Sequence, residues 1–178
     1  MSVEKASYQV LIQEDNFELR LYEPMVLVTS RESDLSGGNG FDRLFRYIKG
    51  GNQKSQKIAM TAPVIDTLEG QHSTTSFVMP RQLSMADLPL PSDPLLNPRE
   101  IKARKIAAIR FPGTINSREL ENRKVELQDW LKKKGLHPLG PMELARYNPP
   151  YVPPFARRNE LMVEVRQTDN VVYLKRRF

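Results

Sequence analysis

Three cations on one short stretch define the first chemistry to consider. Arg43, Arg46 and Lys49 recur at i, i+3 and i+6, which on a helix forms a ridge of positive charge. Guanidinium groups bind carboxylates through charge-assisted, often bidentate hydrogen bonds, so such a ridge suits a small anion. Phe41, Leu44, Phe45 and Ile48 lie beside it at i, i+3, i+4 and i+7, the spacing of one buried helix face. Tyr47 falls at the edge between the two. One reading is a solvated helix face, since charged side chains are mostly exposed. The other is a rim holding an anionic ligand over an apolar groove, with Arg46, Arg43, Lys49, Phe41, Phe45 and Tyr47 as its members. Spacing alone leaves both open.

A second constellation is Arg157-Arg158-Asn159-Glu160. On a strand, alternation places Arg158 and Glu160 on one side and Arg157 and Asn159 on the other. The structural reading is an ion-pair or hydrogen-bond network under a Pro-rich loop, because buried polar groups must find partners. The functional reading is a carboxylate that pairs with a cationic ligand or acts in acid–base chemistry. Glu164 would be the second carboxylate. Residues i and i+4 on a strand stand about 13 Å apart, too far to share a proton.

The chain has two histidines, His72 and His137, and no cysteine. Both histidines are expected in exposed loops, and Met60 and Met79 in the core, so no metal site is assigned. Without cysteine there is no disulfide, thiolate metal site, Cys nucleophile or covalent heme attachment. Nucleophile elbow, Walker loop, dinucleotide fingerprint and metal-spaced His/Glu cluster are all missing, so no catalytic residue is assigned. The formal net charge of +6 favours anionic partners. The clusters Arg157-Arg158 and Lys175-Arg176-Arg177 sit in no nucleic-acid motif, so no nucleic-acid partner is expected. No apolar run approaches the roughly 18 residues of a membrane helix. The opening MSVEKASYQV lacks the basic and apolar regions of a signal peptide, which points to a cytoplasmic protein.

These residues need elements to hold them, and 178 residues suit one domain. Segments 8–12 and 17–30 read as strands joined by the polar turn Glu14-Asp15-Asn16, with a bend or edge position at Pro24. In 17–22, Phe17, Leu19 and Leu21 lie on one side and Glu18, Arg20 and Tyr22 on the other. Asn39 is the predicted N-cap of the first helix, and Gly50-Gly51-Asn52 its stop. Strands follow at 63–68 and 74–79. Segment 80–98 is a Pro-rich connection with one helical turn at 84–87 and six apolar residues to bury: Leu83, Met85, Leu88, Leu90, Leu95 and Leu96. A strand at 101–111 precedes a second helix, capped by Asn116 with Glu119 at N3 and ended near Lys134 by Gly135. Strands at 138–147 and 159–165 flank the rigid loop 147–154, and 171–174 reads as a last strand or docked tail. Strand, helix, strand, strand thus occurs twice, at about 8–80 and 101–166, joined by 81–100. That is an α+β domain of antiparallel sheet with both helices packed on it.

A series of motifs resembles the SOUL heme-binding proteins. It comprises Tyr47-Ile48-x-Gly-Gly-Asn52, Lys57-Ile58-Ala59-Met60-Thr61-Ala62-Pro63-Val64, Phe77-Val78-Met79-Pro80, Leu88-Pro89-x-Pro91, Phe111-x-Gly113, Tyr147-Asn148-Pro149-Pro150 and Arg157-Arg158-Asn159-Glu160. The motifs run in family order over nearly the whole chain. The resemblance implies a duplicated β-α-β-β unit forming a distorted barrel-like sheet flanked by two helices, similar to the effector-binding domains of bacterial regulators. It also implies heme or another tetrapyrrole as ligand, held in an apolar groove beside the first helix with basic side chains near the propionates. Arg46 matches one basic family position. Two others fall near Gly38 and Val152, where this chain carries no charge, leaving Arg43, Lys49 and Lys54 as substitutes. The alternatives are a ligand-sensing or partner-binding module without heme, and a hydrolase or lyase using Glu160 or Glu164.

Overall fold

The computed structural model describes residues 2–33, 39–70 and 72–167. Its first half contains β1 (Glu4–Lys5), β2 (Tyr8–Glu14), β3 (Phe17–Tyr22), β4 (Met25–Ser33), α1 (Asn39–Ile48), β5 (Thr61–Ala62), β6 (Val64–Glu69) and β7 (His72–Val78). The second contains β8 (Leu96–Ile101), β9 (Arg104–Phe111), α2 (Ser117–Lys134), β10 (Leu136–Pro138), β11 (Met142–Arg146), a 3-10 turn (Pro154–Ala156) and β12 (Asn159–Gln167). Ten strands form one curled antiparallel sheet in the order β2-β3-β9-β12-β11-β6-β7-β4-β8, with β10 paired to β12. The short β1 pairs in parallel with β5. This is the expected α+β architecture with two helices on a half-barrel sheet.

Several boundaries differ from the sequence reading. The strand expected at 101–111 is two strands, β8 and β9, and β8 begins inside the expected loop. Pro98 is accommodated because β8 is the outermost strand beyond β4, where a missing N–H breaks no ladder. The strand expected at 138–147 is also broken, into β10 and β11. Of the six apolar residues in the connection, Leu88 and Leu96 are buried, while Met85 and Leu90 stay exposed. Segment 84–87 is the expected helical turn, with the Leu88 N–H donating to the Ser84 carbonyl at 3.1 Å. The expected strand or tail at 171–174 lies outside the described residues.

The sheet has two unlike faces. Alternation along β3, β9 and β12 puts Leu19, Ala107, Ile109, Leu161 and Val163 on the face covered by α2, packed with Leu120, Leu127, Trp130 and Leu131. Val26, Val28, Val64 and Phe77 form the neighbouring core under α1, with Leu44, Tyr47 and Ile48. The inner face carries smaller apolar clusters. One is built on Tyr22, Ile106, Ala108, Ala145 and Met162, the other on Leu27, Ile65 and Val78. Ala6, just after β1, packs against both.

Helix α2 has the predicted ends. The Asn116 Oδ1 accepts the Glu119 N–H at 2.9 Å, and Gly135 takes the left-handed conformation (φ 65°) that closes the last turn. Lys134 and the Trp130 Nε1–H both reach Glu14, at 2.7 and 2.9 Å, tying α2 to the end of β2. The Lys134 hydrogen bond, followed by that of Trp130, holds the Glu14 carboxyl down at about 2.

Candidate functional site

Helix α1 carries the six residues singled out in the sequence, but it does not present them as one rim. A helix turns by about 100° per residue, so positions i, i+3 and i+6 fan across its surface. Arg43 leans to one border, where its Nη1–H donates to Asp93 Oδ2 at 2.8 Å. The Leu95 N–H, together with Arg43 and the charge of Arg46, holds the Asp93 carboxyl below its ordinary range. Lys49 leans to the other border, with its Nζ 5.1 Å from the centre of the Phe45 ring. Arg46 lies between them, exposed, its Nε–H 3.4 Å from the Asp42 carbonyl.

The aromatic residues divide the same way. Phe41 is half-buried, edge-on to Phe77 at 5.2 Å, and stacked with Phe45 at 5.9 Å and 14°. Phe45 is 40% exposed despite its place in the apolar spacing. Tyr47, expected at the edge, is instead turned into the core, 1% exposed, with its hydroxyl donating to the Pro89 carbonyl at 2.8 Å. That burial pushes its phenol up to about 12.

The end of α1 is fixed tightly. The Gly51 N–H reaches back to the Arg46 carbonyl at 2.9 Å, and a Cβ at Gly51 would stand only 2.8 Å from that oxygen. Asn52 is 5% exposed and fully used. Its Nδ2 donates to the carbonyls of Tyr47 and Gln56, and its Oδ1 accepts the N–H groups of Lys54 and Gln56. The basic loop with Lys54 and Lys57 is therefore anchored from below while its lysines stay exposed.

The inner sheet face holds the second constellation. Glu160 is fully buried and receives Arg20 bidentately, at 2.7 and 2.8 Å, and Arg158 at 2.9 Å. Arg20, 1% exposed, also binds Glu18 at 2.6 Å and the Tyr22 hydroxyl at 3.1 Å. Arg158 donates to the Tyr8 hydroxyl at 2.9 Å and lies 3.8 Å from the centre of the Tyr147 ring. Burial alone would raise the Glu160 pKa; the Arg20 bonds and the two guanidinium charges outweigh it and hold the carboxyl below its ordinary value. Burial pushes Tyr22 up to about 12. Two carboxylates thus meet two guanidiniums with all charges matched.

Glu164 is remote from this group and pairs with Arg104 at 3.6 Å. The sequence placed Arg158 and Glu160 together correctly. It missed Arg20, whose partner is 140 residues away. The available signal was an arginine inside an apolar strand.

Of the remaining candidates, His137 is exposed in β10 rather than in a loop, and His72 opens β7. Met79 is buried under α1, and Met60 packs against the same core. The described residues contain no cluster of three or more His, Asp or Glu able to hold a metal ion, and no helix long and apolar enough to cross a membrane. Two cavities lie away from α1. One of about 190 Å³ opens between the β1 segment and 78–84. The other, about 420 Å³, lies between the β2–β3 turn and 155–157.

A curled antiparallel sheet with two helices on its outer face is the architecture of effector-binding-like domains. Among solved structures, the EcmrR C-terminal domain aligns with a TM-score of 0.63 at 12% identity, covering 90% of this chain and 98% of that one. A protein described as a hydrolase from Listeria innocua aligns with a TM-score of 0.58 at 7% identity, over 88% and 94% of the two chains. At these identities the likeness is one of fold. No curated protein matches the chain. The family model for SOUL heme-binding protein matches residues 3–164, and the chain belongs to that family.

Proposed function

We propose that the protein binds heme or another anionic tetrapyrrole on the outer border of α1, through apolar and electrostatic contact and without a strong axial bond. The reading is carried by one observation: Phe45 remains 40% exposed on a stacked Phe41–Phe45 pair, with Lys49 over its ring. An exposed aromatic face suits stacking against a flat macrocycle. Arg46 and Lys49 are placed to meet its carboxylates, and Arg43 would have to release Asp93 to join them. When bound, heme would supply its iron for ligand or redox chemistry; the protein's part is to hold the ring and orient its propionates. Tyr47 supports the site from beneath and does not touch the ligand, since its hydroxyl is held by Pro89.

Titration with hemin and with metal-free protoporphyrin tests this. Both are expected to saturate at one per chain with similar affinity, because the iron adds no strong bond. Phe45→Ala and Arg46→Ala are each expected to weaken binding about tenfold, or ~1.4 kcal/mol, without lowering thermal stability. Absence of saturable binding by either compound overturns the proposal.

A second reading, a ligand-sensing module without heme, draws on the EcmrR-like fold. For a cationic compound to reach Glu160 in such a module, it would have to displace Arg20 from a buried bidentate pair. The inner network therefore favours the α1 reading. The same pairing leaves Glu160 no free oxygen-to-solvent path for hydrolytic chemistry, and we propose that the protein is not an enzyme.

A further inference from the structure

The geometry points to a second ligand site, for a small planar carboxylate, in the cavity between the β2–β3 turn, the end of β9 and the 3-10 turn. The cavity is about 420 Å³, within the range of small-molecule sites. Its walls include Asp15, Glu18, Arg110, Pro112, Phe155 and Arg157.

The walls are held in place before any ligand arrives. On one side the Arg110 N–H donates to the Asn16 carbonyl at 2.9 Å, and the Asn16 Nδ2 returns a bond to the Arg110 carbonyl at 3.2 Å. On the other, the Gly113 N–H donates to Pro154 at 2.9 Å, and the Asn159 Nδ2 to Gly113 at 3.0 Å. The Arg157 guanidinium pins its own loop through Val152 at 2.8 Å and Pro150 at 2.7 Å. A site that needs no ordering binds more tightly for the same contacts.

Charge selects the ligand. Glu18 is committed to Arg20 at 2.6 Å and is neutralised there. Arg157 has used its Nε and Nη2 on carbonyls but keeps its charge. Among the described residues, Arg110 has no side-chain partner, so its planar fork is available for two parallel bonds to a carboxylate. Only Asp15 then opposes two guanidiniums. Phe155, 83% exposed at the cavity wall, offers a flat apolar face to the body of the ligand. None of the residues of α1 lines this cavity, so the site is independent of tetrapyrrole binding.

Titration of the full chain with 2-naphthoate, 2-naphthamide and inorganic phosphate, followed by backbone amide NMR, tests the site. Saturable shifts from 2-naphthoate are expected at 13–18, 110–113 and 155–157, with the neutral amide and phosphate each at least tenfold weaker. Arg110→Ala should weaken 2-naphthoate about tenfold and Phe155→Ala about threefold, while Arg110→Lys retains part of the affinity. Arg110 and Phe155 are exposed, so the variants should melt like the parent. Equal binding of the amide, no effect of Arg110→Ala, or shifts centred on α1 would overturn the inference. Hemin binding is measured separately, so failure of either site leaves the other standing.

Discussion

The two faces of the sheet solve burial in opposite ways. The outer face is covered by helices, and its cores under α1 and α2 are apolar side chains meeting apolar side chains. Among the described residues no helix covers the inner face, yet its centre contains their most deeply buried charges, Arg20 and Glu160. Apolar packing degrades gradually as atoms are removed. A matched ionic group fails abruptly, because the surviving partner is left charged in a place water cannot reach. The inner face is thus held by pairing rather than by area, and its position is specified by a few atoms.

The largest expected effect is on that pairing. Glu160→Gln leaves Arg158 without a carboxylate and Arg20 with Glu18 alone, and should cost about 3–5 kcal/mol of unfolding free energy in a chemical denaturation series. A loss below 1 kcal/mol would show that the inner face depends on its apolar clusters after all.

A smaller effect distinguishes the faces by pH. Tyr22 on the inner face and Tyr47 on the outer both have phenols raised to about 12 by burial, against about 10 in the unfolded chain. The native state keeps protons that the unfolded chain releases, so their contribution is complete below pH 10 and lost between pH 10 and 12. Stability should fall across that window by roughly 1–3 kcal/mol per tyrosine. Tyr47→Phe should remove the outer share of the slope and Tyr22→Phe the inner share, read as denaturation midpoints against pH.

The smallest effect concerns the outer face alone. Asn116→Ala removes the cap of α2 and should cost about 1 kcal/mol. The change should lower amide hydrogen-exchange protection across α2 and leave the Arg20–Glu160 region unaltered.

The same contrast decides what could be read from the sequence. Helix α2 was legible end to end because its two caps, Asn116 and Gly135, act locally. Apolar periodicity likewise placed Leu44 and Ile48 on the buried face of α1. The direction of Arg43 and Lys49 was not legible, because it depends on Asp93 in the Pro-rich connection and on the exposed Phe45 ring. Arg20 was assigned to the polar side of its strand, which is correct. That this side faces inward follows only from the curl of the whole sheet. Pro98 argued for a loop because its neighbours do not reveal that β8 is the outermost strand of the sheet among the described residues. The cavity beside Arg110 joins three segments far apart in the chain and left no local pattern.

The single tryptophan has a practical consequence. Trp130 stacks on Phe17 at 5.2 Å within the α2 core, and its indole is tied to Glu14. Tryptophan emission from this molecule, excited beyond the tyrosine band, is therefore a gauge of the α2 half alone. Local loosening around α1, where the macrocycle is proposed to sit, would pass unseen by an optical probe buried under the other helix.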